Sequence, residues 1–447
     1  MKILIVGAGE VGTHLAEMLS HEDHDIVLLD PEPTNLDFVY NNRLEIMPFV
    51  GSPISIKDLK AAGAERTDLF IAVTPEECDN LIACNMAKTM GAKKTLARIN
   101  NSEYLLPKHK EHFVNLGVDD MIYPEQLAAQ EIVSSLSLPW AKQYWTIFDK
   151  KLDLIAARVT PTSPLVGKKL INLSEFEDKV MHILAIVRNG HTIIPRGQDG
   201  IEVNDVLYIT SMPKYLEQVR NFCGQEKLEV HRVIIMGGSR IALKTAQALP
   251  DDLNIKIIER DYDKCMKLSE VVADHTLVIH GDGRDPDLLV NEGIKKTDAF
   301  LSLTSSSESN MLATLNAKRL GVPISVCQIE NLDYLDIANE MKIGNLINKK
   351  LITASVIFRY LLNIDISNAK TLSIGQGEVL EINVREKSLV TTKPVRELNI
   401  PHEITIGGLV RDGQVILVEG KTQIVAGDMV MVFSQNASPK DLNKLFG

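Results

Sequence analysis

Two segments of this chain, 230 residues apart, carry the same glycines, acids, hydroxyls and amides in the same order. Gly7 answers to Gly237, Gly51 to Gly281, Gly63 to Gly293 and Asp68 to Asp298. The same offset joins Thr74 to Thr304, Asn80 to Asn310 and Gly91 to Gly321, while Asp30 meets Glu259 one residue short. A register held by seven pairs is a duplication, so the chain must build one architecture twice.

The repeated unit is legible in its first thirty residues. A short apolar run (Ile3 to Val6) leads into Gly7-Ala8-Gly9-Glu10-Val11-Gly12, then a helix-like segment, then a second apolar run ending on Asp30. Such a run is a buried parallel strand, and the glycines sit where it turns into a helix. Gly7 permits the tight turn, Gly9 lets the backbone approach a pyrophosphate, and Gly12 allows close helix–strand packing. The helix start offers unpaired N–H groups and a positive dipole end to phosphates. Asp30 is placed to accept from a ribose 2′-OH, which favours NAD(H) over a 2′-phosphorylated cofactor.

Strand and helix signals then alternate through Ile46–Val50, Ile56–Ala62, Leu69–Val73, a helix opened by Asp79-Asn80 and closed at Gly91, and Thr95–Ile99. Each half continues into a tail of short alternating runs. Their turn signals are Arg188-Asn189-Gly190 and Val203-Asn204-Asp205 in one, and Arg411-Asp412-Gly413 and Ala426-Gly427-Asp428 in the other. A helical stretch, Pro124 to about Ser137 and again Lys349 to about Leu362, carries the chain from each large domain to its tail. The expected fold is α/β: two tandem Rossmann-like, doubly wound parallel sheets, each followed by a small β-rich α+β domain. The expected boundaries are 1–137, 138–222, 230–362 and 363–447.

The two glycine motifs are not equal. The second reads Gly237-Gly238-Ser239-Arg240-Ile241-Ala242. Alanine is tolerated at the last position, but a serine side chain at 239 occupies room that backbone and pyrophosphate would share. Glu259 keeps the ribose acid, whereas Arg98, a candidate phosphate partner, is matched by Gln328. The first site is therefore expected to be the stronger. Thr74 and Thr304 lie at the carboxyl ends of strands, the edge where such sheets bind ligands. Ligand contact is expected of them, and helix capping of Asp79-Asn80 and Glu308-Ser309-Asn310.

A net charge of −11 argues against nucleic acid and against an anionic lipid surface. No apolar run approaches the roughly twenty residues that span a bilayer. The N-terminus passes into the first strand without a basic leader, so the expectation is a cytosolic protein, or one that docks on a membrane only through a partner. Five scattered cysteines (Cys78, Cys84, Cys223, Cys265, Cys327) form no CxxC pair, which speaks against zinc and disulfide frameworks. The tails hold no acid–base constellation. His182 and His191 have no equivalents in the second tail, where Gln414 replaces His191. No P-loop lysine pattern occurs. A cofactor bound with nothing to react with points to sensing. The competing readings are an NAD-dependent oxidoreductase of a small metabolite and a redox-sensing transcriptional regulator.

The doubled glycine motif, the strand ends at Thr74 and Thr304 and the two β-rich tails resemble the TrkA family along essentially the whole chain. The resemblance implies tandem RCK (KTN) domains with RCK-C tails, a ring that is typically a homotetramer, and docking beneath a Trk-type membrane potassium translocator. It implies that NAD(H) and adenine nucleotides (ATP or ADP) bind the Rossmann units and bias the ring; from the residues, no catalytic or metal-ligating set is expected, and a second effector in the tails, such as a divalent cation, stays open. Carried over by motif, the first site falls on Gly7, Ala8, Gly9, Glu10, Val11, Asp30, Val73, Thr74 and Arg98. The second falls on Gly237, Gly238, Ser239, Arg240, Ile241, Glu259 and Thr304. The implied location is cytoplasmic, peripheral on the membrane's inner face through the partner.

Overall fold

The computed structural model describes residues 1–20, 24–42, 44–175, 180–358, 365–371, 377–435 and 439–447. Four sheets account for the strands of these residues. The first contains β1 (Lys2–Val6), β2 (Asp25–Asp30), β3 (Ile46–Val50), β4 (Leu69–Ala72), β5 (Lys94–Arg98) and β6 (Asp120–Ile122), in the order β3-β2-β1-β4-β5-β6. Every pairing in it is parallel. Helices follow the strands, and β4 is buried along its whole length, which explains its unbroken apolar sequence. The order reverses between β1 and β4, so a crevice opens at their carboxyl ends, where Gly7 and Thr74 lie.

The first tail pairs β7 (Gln143–Ile147), β8 (Leu152–Arg158), β9 (Met181–Arg188), β10 (His191–Ile193) and β11 (Val206–Ser211) as β10-β9-β11-β8-β7, all antiparallel. The second parallel sheet repeats the first: β12 (Arg232–Met236), β13 (Asn254–Glu259), β14 (Thr276–His280), β15 (Ala299–Ser302), β16 (Ile324–Gln328) and β17 (Asn345–Ile347) run β14-β13-β12-β15-β16-β17. The second tail, with β18 (Asp365–Thr371), β19 (Glu378–Asn383), β20 (Ile404–Arg411), β21 (Gln414–Leu417) and β22 (Met429–Ser434), runs β18-β19-β22-β20-β21. That is the first tail's order, strand for strand. The α/β architecture with two Rossmann-like sheets and two antiparallel tails is the one the sequence leads one to expect.

The chain divides into two compact units. One holds Met1–Leu127 and the helix Lys349–Phe358; the other holds the first tail, the second Rossmann-like sheet and the second tail. The helix Lys349–Phe358 thus packs on the first half's glycine-motif helix, Glu10–Ser20, although it belongs to the second half in sequence. The remainder of the stretch expected to reach Leu362 lies outside the described residues.

Within the second unit the two tails share one core. Trp145, Leu152, Leu184 and Tyr208 of the first pack with Val379, Leu417, Met431 and Phe433 of the second. The Tyr208 and Phe433 ring centroids are 6.4 Å apart. Burying large side chains at about 1.5–3 kcal/mol each explains why neither small sheet presents this face to water. Each tail is tied by the same ion pair. Arg188 grips Asp205 with Nε–Oδ1 2.9 Å and Nη2–Oδ2 2.8 Å, and Arg411 grips Asp428 at 2.8 and 2.7 Å.

Candidate functional site

The site is built on the turn after β1. Gly7 has φ +101°, a conformation that favours glycine, and a Cβ there would lie 2.9 Å from Thr74 N. At Gly12 a Cβ would fall 1.8 Å from Gly7 O, so only glycine lets the helix sit this close to the strand. At Gly9 a Cβ would meet nothing within 4 Å. The loop is therefore tight on the protein side at Gly7 and Gly12 and open at Gly9. Those are the roles a pyrophosphate cradle requires of its three glycines, and the residues present fit that group. Glu10 opens the helix at the surface, while Ala8, Val11 and Val73 are buried beneath the loop.

Asp30, at the end of β2, is buried and already holds the loop. Its Oδ2 accepts from Ala8 N at 2.6 Å, and its Oδ1 accepts from Glu32 N at 2.9 Å and Asn35 Nδ2 at 3.0 Å. A carboxylate offers about four acceptor positions, so one is left for a ribose hydroxyl. Glu259 repeats the arrangement: Oε2 accepts from Gly238 N at 2.6 Å and Oε1 from Asp261 N at 2.9 Å, with Lys264 Nζ 3.3 Å from Oε2. Burial disfavours its charge, but the Asp261 and Gly238 amides and the Lys264 ammonium outweigh that and hold its carboxyl below the usual range.

At the β4 edge the helix starts earlier than the sequence suggests. It runs Glu77–Met90, so Asn80 lies inside it and caps nothing. Asn80 is instead a buried staple. Its Oδ1 accepts from Thr74 N (2.9 Å) and Thr74 Oγ1 (2.8 Å), and its Nδ2 donates to Thr74 O (3.0 Å) and Arg98 O (2.9 Å). Asn310 makes the same four bonds with Thr304 and Gln328. Here too the helix, Ser307–Arg319, starts ahead of Asn310, and its cap is Ser306. The threonines stand at the crevice as expected, but their hydroxyls are engaged by the staple. The in-register pair Asn80/Asn310 was the signal for this role, since a surface cap needs no particular partner on the neighbouring strand.

Arg98 sits at the same edge with Nη2 3.0 Å from Glu125 Oε1, and both side chains are largely buried. Nε of Arg98 and Oε2 of Glu125 have no hydrogen-bond partner. Glu125 lies in the first turn of the helix Pro124–Ser137, so the cation expected at phosphate is joined to the start of the connecting helix. No motif in the sequence marks Glu125, because its partner lies at the end of β5, 27 residues earlier.

The second glycine turn keeps its φ (+98° at Gly237) but closes its helix end. Ser239 is the N-cap of the helix Arg240–Ala248, and its Oγ accepts from Ala242 N at 3.1 Å. The serine thus satisfies an amide in the first turn of its own helix, where the first motif has Gly9 and no side chain to do so. A Cβ at Gly238 would meet Leu268 Cδ1 at 2.3 Å. Arg240 is exposed at the helix start and Ile241 is buried. Gln328 hydrogen-bonds Glu330, so no cation stands where Arg98 does. Among the described residues no group of three or more His, Cys, Asp or Glu could hold a metal ion. Nor does any helix among them have the length and apolarity to cross a membrane.

Comparison with known proteins follows this architecture. The TrkA-N domain matches residues 3–124 and again 233–349, and the TrkA-C domain matches 154–224. The Trk system potassium uptake protein TrkA of Haemophilus influenzae is 34% identical over 100% of this chain and 98% of its own length. A Trk system potassium uptake protein TrkA homolog of Archaeoglobus fulgidus is 31% identical, with each chain covered completely. Among solved structures, the GsuK RCK domain matches with TM-score 0.62 at 16% identity, covering 100% of this chain and 94% of that one. A GsuK channel bound to NAD matches with TM-score 0.62 at 15% identity, covering 99% and 78%.

Proposed function

The chain belongs to the TrkA family, and from that premise we propose that it is a nucleotide-sensing regulatory subunit of a Trk-type potassium transporter. NAD(H) is the ligand of the first site, with ADP or ATP competing for the same cradle. Gly7 and Ala8, whose own amides donate to Leu29 O and Asp30 Oδ2, shape the turn; the amides of Gly9, Glu10 and Val11 receive the pyrophosphate and Asp30 receives the ribose. Val73 and Thr74 line the crevice, and Arg98 offers its guanidinium to phosphate. The second site (Gly237, Gly238, Ser239, Arg240, Ile241, Glu259, Thr304) binds more weakly, because Ser239 already occupies an amide that a phosphate would use.

The observation that carries this reading is the open Gly9 cradle beside Asp30, in a chain similar over its full length to potassium uptake proteins. The fold neighbour seen with NAD lends further support. The subunit acts without chemistry. A nucleotide shifts a homotetrameric ring only through unequal affinity for its two shapes, and about 1–3 kcal/mol of coupling per site is typical. It works on the cytoplasmic face, held there by the translocator. The test is co-sedimentation with vesicles that carry or lack a Trk-type translocator. Sedimentation only with translocator vesicles is the expected result, and equal partition to both would remove the partner from the proposal.

A further inference from the structure

Arg98 meets Glu125 by half of the contact that Arg188 and Arg411 make with their acids. Those two close a whole guanidinium edge, Nε and Nη2, on Asp205 and Asp428, one carboxylate oxygen to each nitrogen. Arg98 bonds Glu125 through Nη2 and Oε1 alone, at 3.0 Å. Its Nε and the acid's Oε2 are both buried and have no hydrogen-bond partner. Two parallel bonds give such a pair its strength and fixed geometry, so the half-made pair is the weaker and keeps a donor in hand. A buried donor without an acceptor is costly, and an anion that reached Nε would remove that cost.

The pair stands between the glycine turn and a helix. Asn80 ties Arg98 O to Thr74 N at 2.9 Å each, and Thr74 N lies 2.9 Å from where a Cβ on Gly7 would be. Glu125 is buried in the first turn of the helix Pro124–Ser137, where the Gln126 and Leu127 amides both donate to Tyr123 O at 3.1 Å. That helix carries the chain on to the first tail. If a phosphate takes the guanidinium, the Glu125 carboxylate is left buried without a counter-charge, which is far more costly than the buried pair. The positive end of the helix dipole recovers only part of that cost. Water recovers the rest, and the carboxylate reaches it when the first turn opens. The second copy has lost both partners together: Gln328 stands for Arg98, and Lys350, second in the helix Lys349–Phe358, stands for Glu125. The pair is thus present where the cradle is open at Gly9 and absent where Ser239 caps the helix.

We propose that Glu125 is the positioning residue of a nucleotide-operated latch. It holds Arg98 until a nucleotide phosphate takes the guanidinium, and the released carboxylate then opens the first turn of the helix Pro124–Ser137. This rests on the reading of the first cradle as a nucleotide site, and adds how its occupancy is passed on, through the helix that leads into the first tail. The second cradle has no such latch.

The test is hydrogen–deuterium exchange of the full chain, read by mass spectrometry at the Gln126 and Leu127 amides with and without saturating NADH. NADH titration by fluorescence and thermal unfolding accompany it. The expected result is that NADH speeds exchange at these two amides by about tenfold or more. In Arg98→Gln they exchange fast without NADH, because Glu125 has lost its partner. In Glu125→Gln NADH binds and leaves them unchanged, because a neutral side chain stays buried at far lower cost. A merely structural Glu125 could not lose that response while binding and fold persist. The response of the unmodified chain decides the proposal should a variant fail to fold. NADH bound with exchange unchanged or slowed would overturn the latch and leave the nucleotide site standing. So would slow exchange in Arg98→Gln, or a Glu125→Gln response equal to that of the unmodified chain. No NADH binding by the unmodified chain would overturn the site, and the latch with it.

Discussion

Asp30→Ala takes the acceptor from three donors at once: Ala8 N at 2.6 Å, Glu32 N at 2.9 Å and Asn35 Nδ2 at 3.0 Å. The Ala8 bond is buried, and leaving that N–H without a partner costs about 1–3 kcal/mol. The other two donors are only partly buried, so water can replace the carboxylate at roughly 0.5–1 kcal/mol each. The total, about 2–5 kcal/mol, sits within the stability of an ordinary domain, so the variant is expected to fold with a lower urea midpoint. Affinity suffers separately. A ribose hydroxyl bonded to the one remaining acceptor position contributes about 1.5–3 kcal/mol, or roughly 10- to 150-fold in NADH dissociation constant. Asn35→Ala separates the two effects, because it removes one donor and leaves the carboxylate: about 1 kcal/mol of stability is lost and NADH affinity stays within about twofold. Urea unfolding by circular dichroism and NADH titration by fluorescence provide the two readouts. If Asp30→Ala binds NADH like the unmodified chain, the assignment of the ribose acid is wrong.

Ser239→Gly removes the hydroxyl from Ala242 N at a stability cost of a few tenths of a kcal/mol, and nucleotide affinity at the second cradle should rise; calorimetric stoichiometry that does not increase would contradict the capping argument. Glu125→Gln frees the Arg98 guanidinium from its carboxylate, so NADH should bind more tightly by equilibrium dialysis, whereas an unchanged constant would mean Arg98 does not meet phosphate. Asp153 is fully buried, and burial raises its carboxyl to about 6 against the Tyr144 hydroxyl that donates to it. Its folded-state pKa is above the unfolded one, so its favourable contribution is complete below about pH 4 and lost as the pH rises through 6. Asp153→Asn should therefore gain on the order of 2 kcal/mol at pH 7.5 and nothing at pH 3.5; equal urea midpoints at both pH values would refute this.

The glycine turn, the acid at the end of β2 and the duplication were legible in the sequence because each follows from local spacing. The tertiary partners were not. Ser239 reads as an obstacle to pyrophosphate, yet its main act is to accept from Ala242 N, which depends on where the helix begins. Asn80 reads as a cap, and a shift of the helix start to Glu77 makes it the staple between β4 and β5. The turn signals Arg188-Asn189-Gly190 and Val203-Asn204-Asp205 were visible as turns, but the Arg188–Asp205 grip joins the end of β9 to the turn before β11. Alternation marked the strands of each tail without saying that the other tail would cover one face of them.

The most direct test of the central claim measures rubidium flux through a Trk-type translocator in proteoliposomes, with and without this chain, across an NADH titration, while NADH absorbance is followed in the same sample. Flux that changes with NADH only when the chain is present, is blunted by Asp30→Ala, and leaves NADH unconsumed is the expected result. Flux indifferent to the chain, or steady oxidation of NADH accompanying it, would contradict the account.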